Sequence, residues 1–414
     1  MHDKGFISFI TTNYFLTATG AKTLRKDLAE RTYIKRLINF NEVRVFESAL
    51  GQHNMITMLT KDKSTHIFCR SIYCTESVTA NSEKLNSILY GTDDNIKIVL
   101  LEQNNIFDGM EYYIRQDGVK STGDSSIGSI LDKMAAQPYR LGMLAEVNQG
   151  VVSGCDMVAS RNIRHIPSSS NKIKNDGIFV FDMKNSRDVD VVNTFTKGKA
   201  LLRDFYKNSD ISRYCCSKTP TKKLLYYPSG LDCEQYPDVL KHLSYFKNLL
   251  EHRLEVYNEN YHWTALHRSR KESIFCGEKL VVPYRTREAA FAYNNVEWFC
   301  RSDVYVITPK SEDTNLFFLL GMLNSKLNFL WLYHRGKRKG EVLELFQVPL
   351  SEIPIISLDN DKQQKIAELA KEITEAKNAD SAADTTPLEH KIDLILYSAY
   401  SLTEKEISIV ESSF

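Results

Sequence analysis

The sequence predicts three parts: an α/β segment built on part of a parallel sheet, a longer strand-rich α+β segment, and a helical tail. Three observations predict this order. Residues 5–73 alternate between strand-like and helix-like patterns. From about residue 140, short β-rich runs recur between turn residues. After Ile356, apolar residues recur at helical spacing. The expected boundaries are 1–135, 140–357 and 358–414.

In the first part, "GFISFIT" (5–11) reads as a strand, and "ATGAKTLRKDLAER" (18–31) as a helix with Ala21, Leu24 and Leu28 on one side. "IKRLINFNEV" (34–43), "HNMITMLTKD" (53–62) and "THIFCRSIY" (65–73) follow as strands. Strand, crossover helix, strand predicts a parallel sheet, here finished by a hairpin. Doubly wound domains carry more crossover helices than the one visible here. The expectation is therefore half a sheet, with an apolar edge left open beside residues 5–11. Its other half would lie upstream of Met1 or on another polypeptide. Further on, "IKIVLLEQ" is a strand and "GDSSIGSILDKMA" the start of a helix capped by Ser125 or Ser126.

The second part has strands at "LGMLAEVNQGVVSGCDMV", "GIFVFDM", "KKLLYYPSG", "KLVVPYRT" and "DVYVITP". Helices interrupt it at 236–255 and 314–334. In the tail, Ile366, Leu369, Ala370 and Ile373 share a face, and Thr403 with Glu406 forms a capping box.

At 414 residues, 43% hydrophobic and 25% charged, the chain is of globular composition and long enough for two or three cores. A net charge of +1 excludes nothing, because a basic groove is readily balanced by acidic surface elsewhere. The eight cysteines show no C-x-x-C spacing and no accompanying histidine pair, so no metal site is expected. The amino terminus lacks a signal-peptide pattern, and no run reaches the roughly 18 apolar residues of a membrane span. A cytoplasmic protein without a membrane partner is expected.

Two stretches carry a resemblance. "GFISFITTNYFLTATGAKTLRKDLAE…LINFNEVRVFESALGQHNMITML" resembles the part of adenine-N6 DNA methyltransferases that follows their Asn-Pro-Pro-Tyr loop. The pieces "VNQGVVSGCD", "LLRDFYKNSDISRY", "LLYYPSG", "HLSYFKNLLEHRLE", "WTALHRSR", "KLVVPYRT", "SDVYVITP", "LLGMLNSKLNFLWLYHRGKRKG" and "VPLSEIPI" resemble, in order and spacing, the TaqI-like specificity domain of type IIG restriction–modification enzymes. The resemblance spans most of residues 5–356. It implies the C-terminal half of a Rossmann-like methyltransferase sheet followed by a target-recognition domain that binds duplex DNA. It also implies S-adenosylmethionine as cofactor of the complete enzyme. The chain itself has no G-x-G and no Pro-Pro, and none of its ten prolines follows Asn, Asp or Ser. By itself it is therefore expected neither to bind the cofactor nor to methylate.

Within that frame, "HRGKRKG" draws attention: Arg335, Lys337, Arg338 and Lys339 lie between and beside Gly336 and Gly340. Lysine and arginine on such a loop approach phosphates, and arginine also reads guanine; the competing reading is a solvated surface loop. Arg268, Arg270 and Lys271, following Trp263, form a second basic patch, and Arg285 with Arg287 a third; each is either a DNA contact or a solvent-facing strand. Ser153, between Gly150 and Gly154, marks either close backbone approach to a phosphate or a bulged strand. Arg213 and Tyr214 either touch DNA or pin the core. Phe46 and Phe107 are candidates for a flipped-base pocket, with a core role as the alternative, and Thr11, Thr12 and Asn13 sit at a strand's carboxyl end. No nuclease constellation is readable. Three arrangements fit: a chain completed by a separate catalytic half, a standalone specificity module, and an interaction subunit whose helix at 362–377 resembles those that pair specificity subunits with partners.

Overall fold

The structure, a computed structural model, describes residues 5–47, 52–62, 68–108, 112–116, 127–167, 171–253, 262–339 and 342–413. Ser125 and Ser126, named above as a helix cap, and the side chains of Arg338 and Lys339 lie outside the described residues.

The first part is a five-stranded sheet of β1 (Phe6–Thr12), β2 (Tyr33–Asn39), β3 (Asn54–Thr60), β4 (Phe68–Cys74) and β5 (Ile96–Glu102), in the order β1-β3-β2-β4-β5. The expectation of a parallel sheet needs correction. β3 inserts antiparallel between β1 and β2, and only β2 and β4 pair in parallel. β1 and β2 still run the same way, joined by helix α1 (Lys22–Arg31), so the crossover exists without the adjacency. Strand pairing depends on contacts far apart in sequence, and periodicity does not reveal them.

The pairing registers align Ile10, Ile56, Ile38, Ile72 and Ile98 in one row across all five strands. β-branched side chains suit this pleated surface. The centre of the row, Ile38 and Ile72, is buried with Ile88 of helix α2 (Ser82–Tyr90). Its two ends, Ile10 and Ile98, are 42% and 41% exposed. β1 is an edge strand, and Phe6 and Ile7 are exposed there as well. On α1 the buried residues are Arg25 and Leu28, whereas Leu24, grouped with Leu28 by spacing, faces solvent.

Two further cores follow. One surrounds the sheet of β7 (Val180–Asp182), β8 (Leu202–Tyr206), β9 (Lys222–Leu225) and β13 (Phe299–Cys300), with helix α4 (Pro237–Ser244) packed into it. The helix expected over 236–255 stops at Ser244 and resumes at Lys247. The other surrounds the sheet ordered β12 (Ala292–Asn294), β10 (Lys279–Pro283), β14 (Val304–Pro309) and β6 (Ala145–Gln149).

The helix expected over 314–334 is two helices, α5 (Leu316–Leu323) and α6 (Lys326–Arg335), bent by 65°. Asn324 occupies the break and is fully buried. Its side-chain amide donates to the Phe291 carbonyl at 2.9 Å and accepts from the Phe291 N–H at 3.0 Å, as a strand neighbour would. Ser325 caps α6, and Asp393 accepts from the Lys326 N–H.

The tail packs onto this same core. Ile366, Leu369, Ala370 and Ile373 of α7 (Asn360–Ala379) are buried in it together with α5 residues. A Cβ on Gly321 of α5 would stand 2.8 Å from Ile366, so glycine permits the close approach. The face compared above with partner-binding helices is thus occupied within the chain. Helices α8 (Thr386–Ala399) and α9 (Glu404–Ser412) complete the layer, with α9 started by the Thr403–Glu406 capping box. Glu406 also receives Lys133 of helix α3 (Ile127–Ala135) at 2.7 Å.

His242 of α4 makes the second core acid-sensitive. Its ring is buried among Phe181, Phe195 and Phe246, and Nε2 donates to the Ile178 carbonyl at 3.0 Å. Burial lowers its pKa to about 4. Between pH 6.5 and 4 the unfolded imidazole takes a proton that the folded ring refuses, so stability falls on acidification through that window, by about 3 kcal/mol in all. Urea unfolding at stepped pH should show this loss, and His242→Gln should flatten it.

Candidate nucleic-acid interface

One end of the β12-β10-β14-β6 sheet gathers most of the basic residues singled out in the sequence. Pro283 at the carboxyl end of β10 pairs with Val304 at the start of β14, and Tyr305 pairs with Gln149 at the end of β6. The chain leaves β10 directly into β11 (Arg285–Thr286), the first strand of a small sheet completed by β15 (Lys337–Lys339) and β16 (Val342–Glu344). The basic loop expected at 335–339 is therefore the end of a helix followed by a strand.

Its pairing explains the charge. On β16, Glu344 lies opposite Arg285 on one side and opposite Lys337 on the other. The Glu344 side chain is 6% exposed. It accepts from Arg285 Nε at 3.1 Å and Nη2 at 2.8 Å, and its second oxygen is 3.0 Å from Lys337 Nζ. Burial pushes this carboxyl up, but the hydrogen bonds from Arg285 and Lys337 outweigh that and hold it below the ordinary carboxylate range. Lys337 also lies over the rings of Phe346, at 4.3 Å, and Tyr14, at 5.3 Å. It is a hinge point between the first sheet and this hairpin more than a free phosphate contact.

Arg335 departs furthest from expectation. It ends α6, is 8% exposed, and its guanidinium lies 4.6 Å from the centre of the Tyr113 ring. Arg25 of α1 lies 4.8 Å from the same ring and donates to the carbonyls of Phe15 and Ala18. Arg335 thus ties α6 to the first part of the chain. A residue type that is usually solvated is drawn in here because an aromatic face, with Asp132 at 3.9 Å, replaces water.

The patch after Trp263 stands at the same end of the sheet. Arg268 forms an isolated bridge to Val152 and is exposed, and Lys271 is exposed beside it. Arg270 has a φ of +65°, so it departs from the solvent-facing strand that was one reading of this patch. Its side chain donates to Gln149 Oε1 at 3.0 Å. Trp263 packs against the second core, under Lys247. Ser153 is buried, its hydroxyl bonded to Asp156 and its carbonyl to Arg253 and the His267 N–H, which leaves it structural. Gly150 is needed for packing, since a Cβ there would stand 2.2 Å from the Arg301 carbonyl. Arg301 itself, missed in the sequence, is 53% exposed and 3.3 Å from Asp156. Nothing in "FCRSD" signals it, because only the bridge from Val151 to Arg301 brings it to this edge. Arg287 is exposed in the turn after β11. Arg213 pins the core, donating to Glu389 of α8 and to the Ala289 carbonyl, beside the buried Tyr214.

On the first sheet, Phe107 packs against the core, and Phe46 stands 43% exposed beyond β2. The carboxyl ends of β1 and β2 border a cleft of about 120 Å³ lined by Asn13, Tyr14, Asn39, Asn41, His53, Gln116 and Lys337. Asn13 donates to Asn39 at 3.1 Å, and Asn39 to Gln116 at 2.7 Å. Through Lys337, this polar rim adjoins the basic end of the other sheet. Of its lining, Asn13 and Lys337 were singled out by sequence and the rest were not, since the amides come together from three separate segments, at 13, 39–41 and 116.

Comparison with known proteins gives two partial family matches and several distant relatives. The family of TaqI-like C-terminal specificity domains matches residues 238–355, and that of Eco57I restriction-modification methylases matches residues 1–46. Over these stretches the chain is similar to restriction–modification methylases and to their specificity domains. The type II methyltransferase M.HindII of Haemophilus influenzae is 24% identical over 378 residues, covering 86% of this chain and 64% of its own length. M.HincII of the same species is 22% identical, covering 86% and 63%. The chain thus spans just under two thirds of the length of these relatives. The type IIL restriction-modification enzyme MmeI, solved in complex with DNA, matches 98% of this chain and 48% of its own at a TM-score of 0.64 and 13% identity, which shows the shared fold.

The two kinds of arginine at this end of the sheet should separate experimentally. Arg335→Ala should lower stability by about 1–3 kcal/mol in a denaturant titration and leave the salt dependence of DNA binding unchanged. The Arg268→Ala, Arg301→Ala double variant should melt normally and reduce the slope of log K against log salt by roughly 1.8.

Proposed function

We propose that this chain is the DNA-recognising portion of a site-specific adenine-N6 methyltransferase of a restriction–modification system. It grips duplex DNA, reads a short site and presents an adenine for methylation. The observation that carries this reading is the convergence of Arg268, Arg270, Arg285 and Arg301 at one end of the specificity-domain sheet, next to the carboxyl ends of β1 and β2. Charge over this end attracts phosphates, and ligands of open α/β sheets sit beyond the strands' carboxyl ends.

The complete enzyme would use S-adenosylmethionine as methyl donor. The rim cleft does not fit that group: among the described residues it is lined by amides, a histidine, a tyrosine, a lysine, Leu16 and Thr17, with no carboxylate for a ribose and no glycine-rich turn. The cofactor and the methyl transfer are therefore assigned to a catalytic half carried upstream or on another polypeptide. The open apolar edge at Phe6, Ile7 and Ile10 favours this over a standalone module, because such an edge invites another strand.

Selection from a pool of random duplexes, at low and moderate salt, should enrich one short motif. Ile7→Lys should leave that binding intact, yet abolish association with a catalytic half supplied in trans and methylation of plasmid DNA by the pair. Methylation at the wild-type level with Ile7→Lys would remove β1 as the docking edge.

A further inference from the structure

Arg285 combines two properties that are usually opposed: its side chain is 52% exposed, and its guanidinium is fixed. Nε and Nη2 both donate to one oxygen of Glu344. The guanidinium also lies 5.0 Å from the centre of the Tyr284 ring, which packs edge-on against Phe346. Glu344 is in turn held from the far side by Lys337. A guanidinium has five N–H donors, so donors remain for a partner on the outer side.

The neighbouring cations are held differently. The Arg268 guanidinium touches only its chain neighbour His267 among the bonds described for it. Arg301 has a single 3.3 Å approach to Asp156, and Lys271 and Arg287 are exposed. These suit phosphates, which need charge but little fixed orientation. Reading a base edge demands the reverse, a donor pair locked in place by supporting bonds. Charge points the same way. Arg285, Lys337 and Glu344 together carry one net positive charge, which weakens the pull on a phosphate without weakening hydrogen bonds to a neutral base.

We propose that Arg285 is a specificity-determining residue that reads a guanine through its N7 and O6 acceptors in the major groove, and that Glu344 is the residue that positions it. This rests on the DNA-binding reading above.

The test is selection of the full chain on random duplexes, with wild type, Arg285→Ala, Arg285→Lys, Glu344→Gln and Arg287→Ala in parallel and a melting curve for each. Wild type should enrich a site containing guanine. Arg285→Ala and Arg285→Lys should both lose the preference at one guanine, with affinity for the wild-type site down roughly 10- to 100-fold. Affinity for unrelated duplex should stay within about twofold. Glu344→Gln should blur the same position, and Arg287→Ala should not. Retention of the full motif by Arg285→Lys would show that charge alone suffices and would overturn the proposal, as would an unchanged motif in Arg285→Ala. A wild-type chain that binds duplex DNA without enriching any motif overturns this assignment and leaves DNA binding standing. One that binds no duplex overturns both.

Discussion

Arg25, Tyr113 and Arg335 hold the two ends of the described fold in one arrangement. Both guanidinium groups lie within 5 Å of the same ring centre, and Arg25 is anchored to backbone carbonyls of the segment that follows β1. The ring's electron-rich face, the Asp132 carboxylate 3.9 Å from Arg335 and the carbonyls bound by Arg25 together offset part of the repulsion and lost hydration of two like charges. Arg335 closes α6, and two residues later Lys337 begins β15 and reaches over Tyr14. The hairpin's position against the first sheet therefore follows from where α6 ends.

That placement gives the chain's charge a division of labour. Net charge is near zero, yet the basic residues at this end of the sheet are neither a uniform patch nor a solvated run. Arg335 and Lys337 serve packing, Arg285 is braced by Glu344, and Arg268, Lys271, Arg287 and Arg301 face outward. A carboxylate buried between two cations costs desolvation and returns geometry. Here the geometry is a guanidinium held in place at the end of the sheet.

The tail contributes in the same way. By burying its apolar face against α5, it stabilises the bend at Asn324, and Asp393 of α8 caps α6. Burial pushes the Asp393 carboxyl up to about 6, so this cap titrates in the mildly acidic range. The helix whose last turn carries Arg335 is thus set at its start by the tail and at its end by Tyr113 of the first part.

By itself, the sequence determined the local patterns: the strands at 6–12, 96–102, 279–283 and 304–309, the amphipathic tail, the capping box, and the ordered pieces that resemble a specificity domain. Each of these depends on residues close together in the chain. Tertiary structure alone decided the insertion of β3 between β1 and β2, the break at Asn324, the burial of Arg335 and Ser153, the arrival of Arg301 and the pairing of Arg285 with Glu344. Those outcomes depend on which distant backbone segments pair and on whether a charged group meets water, a ring or a counter-ion there. A run such as "RGKRKG" carries the charge but not that environment. A basic residue's role is therefore legible only once its neighbours from other strands are known.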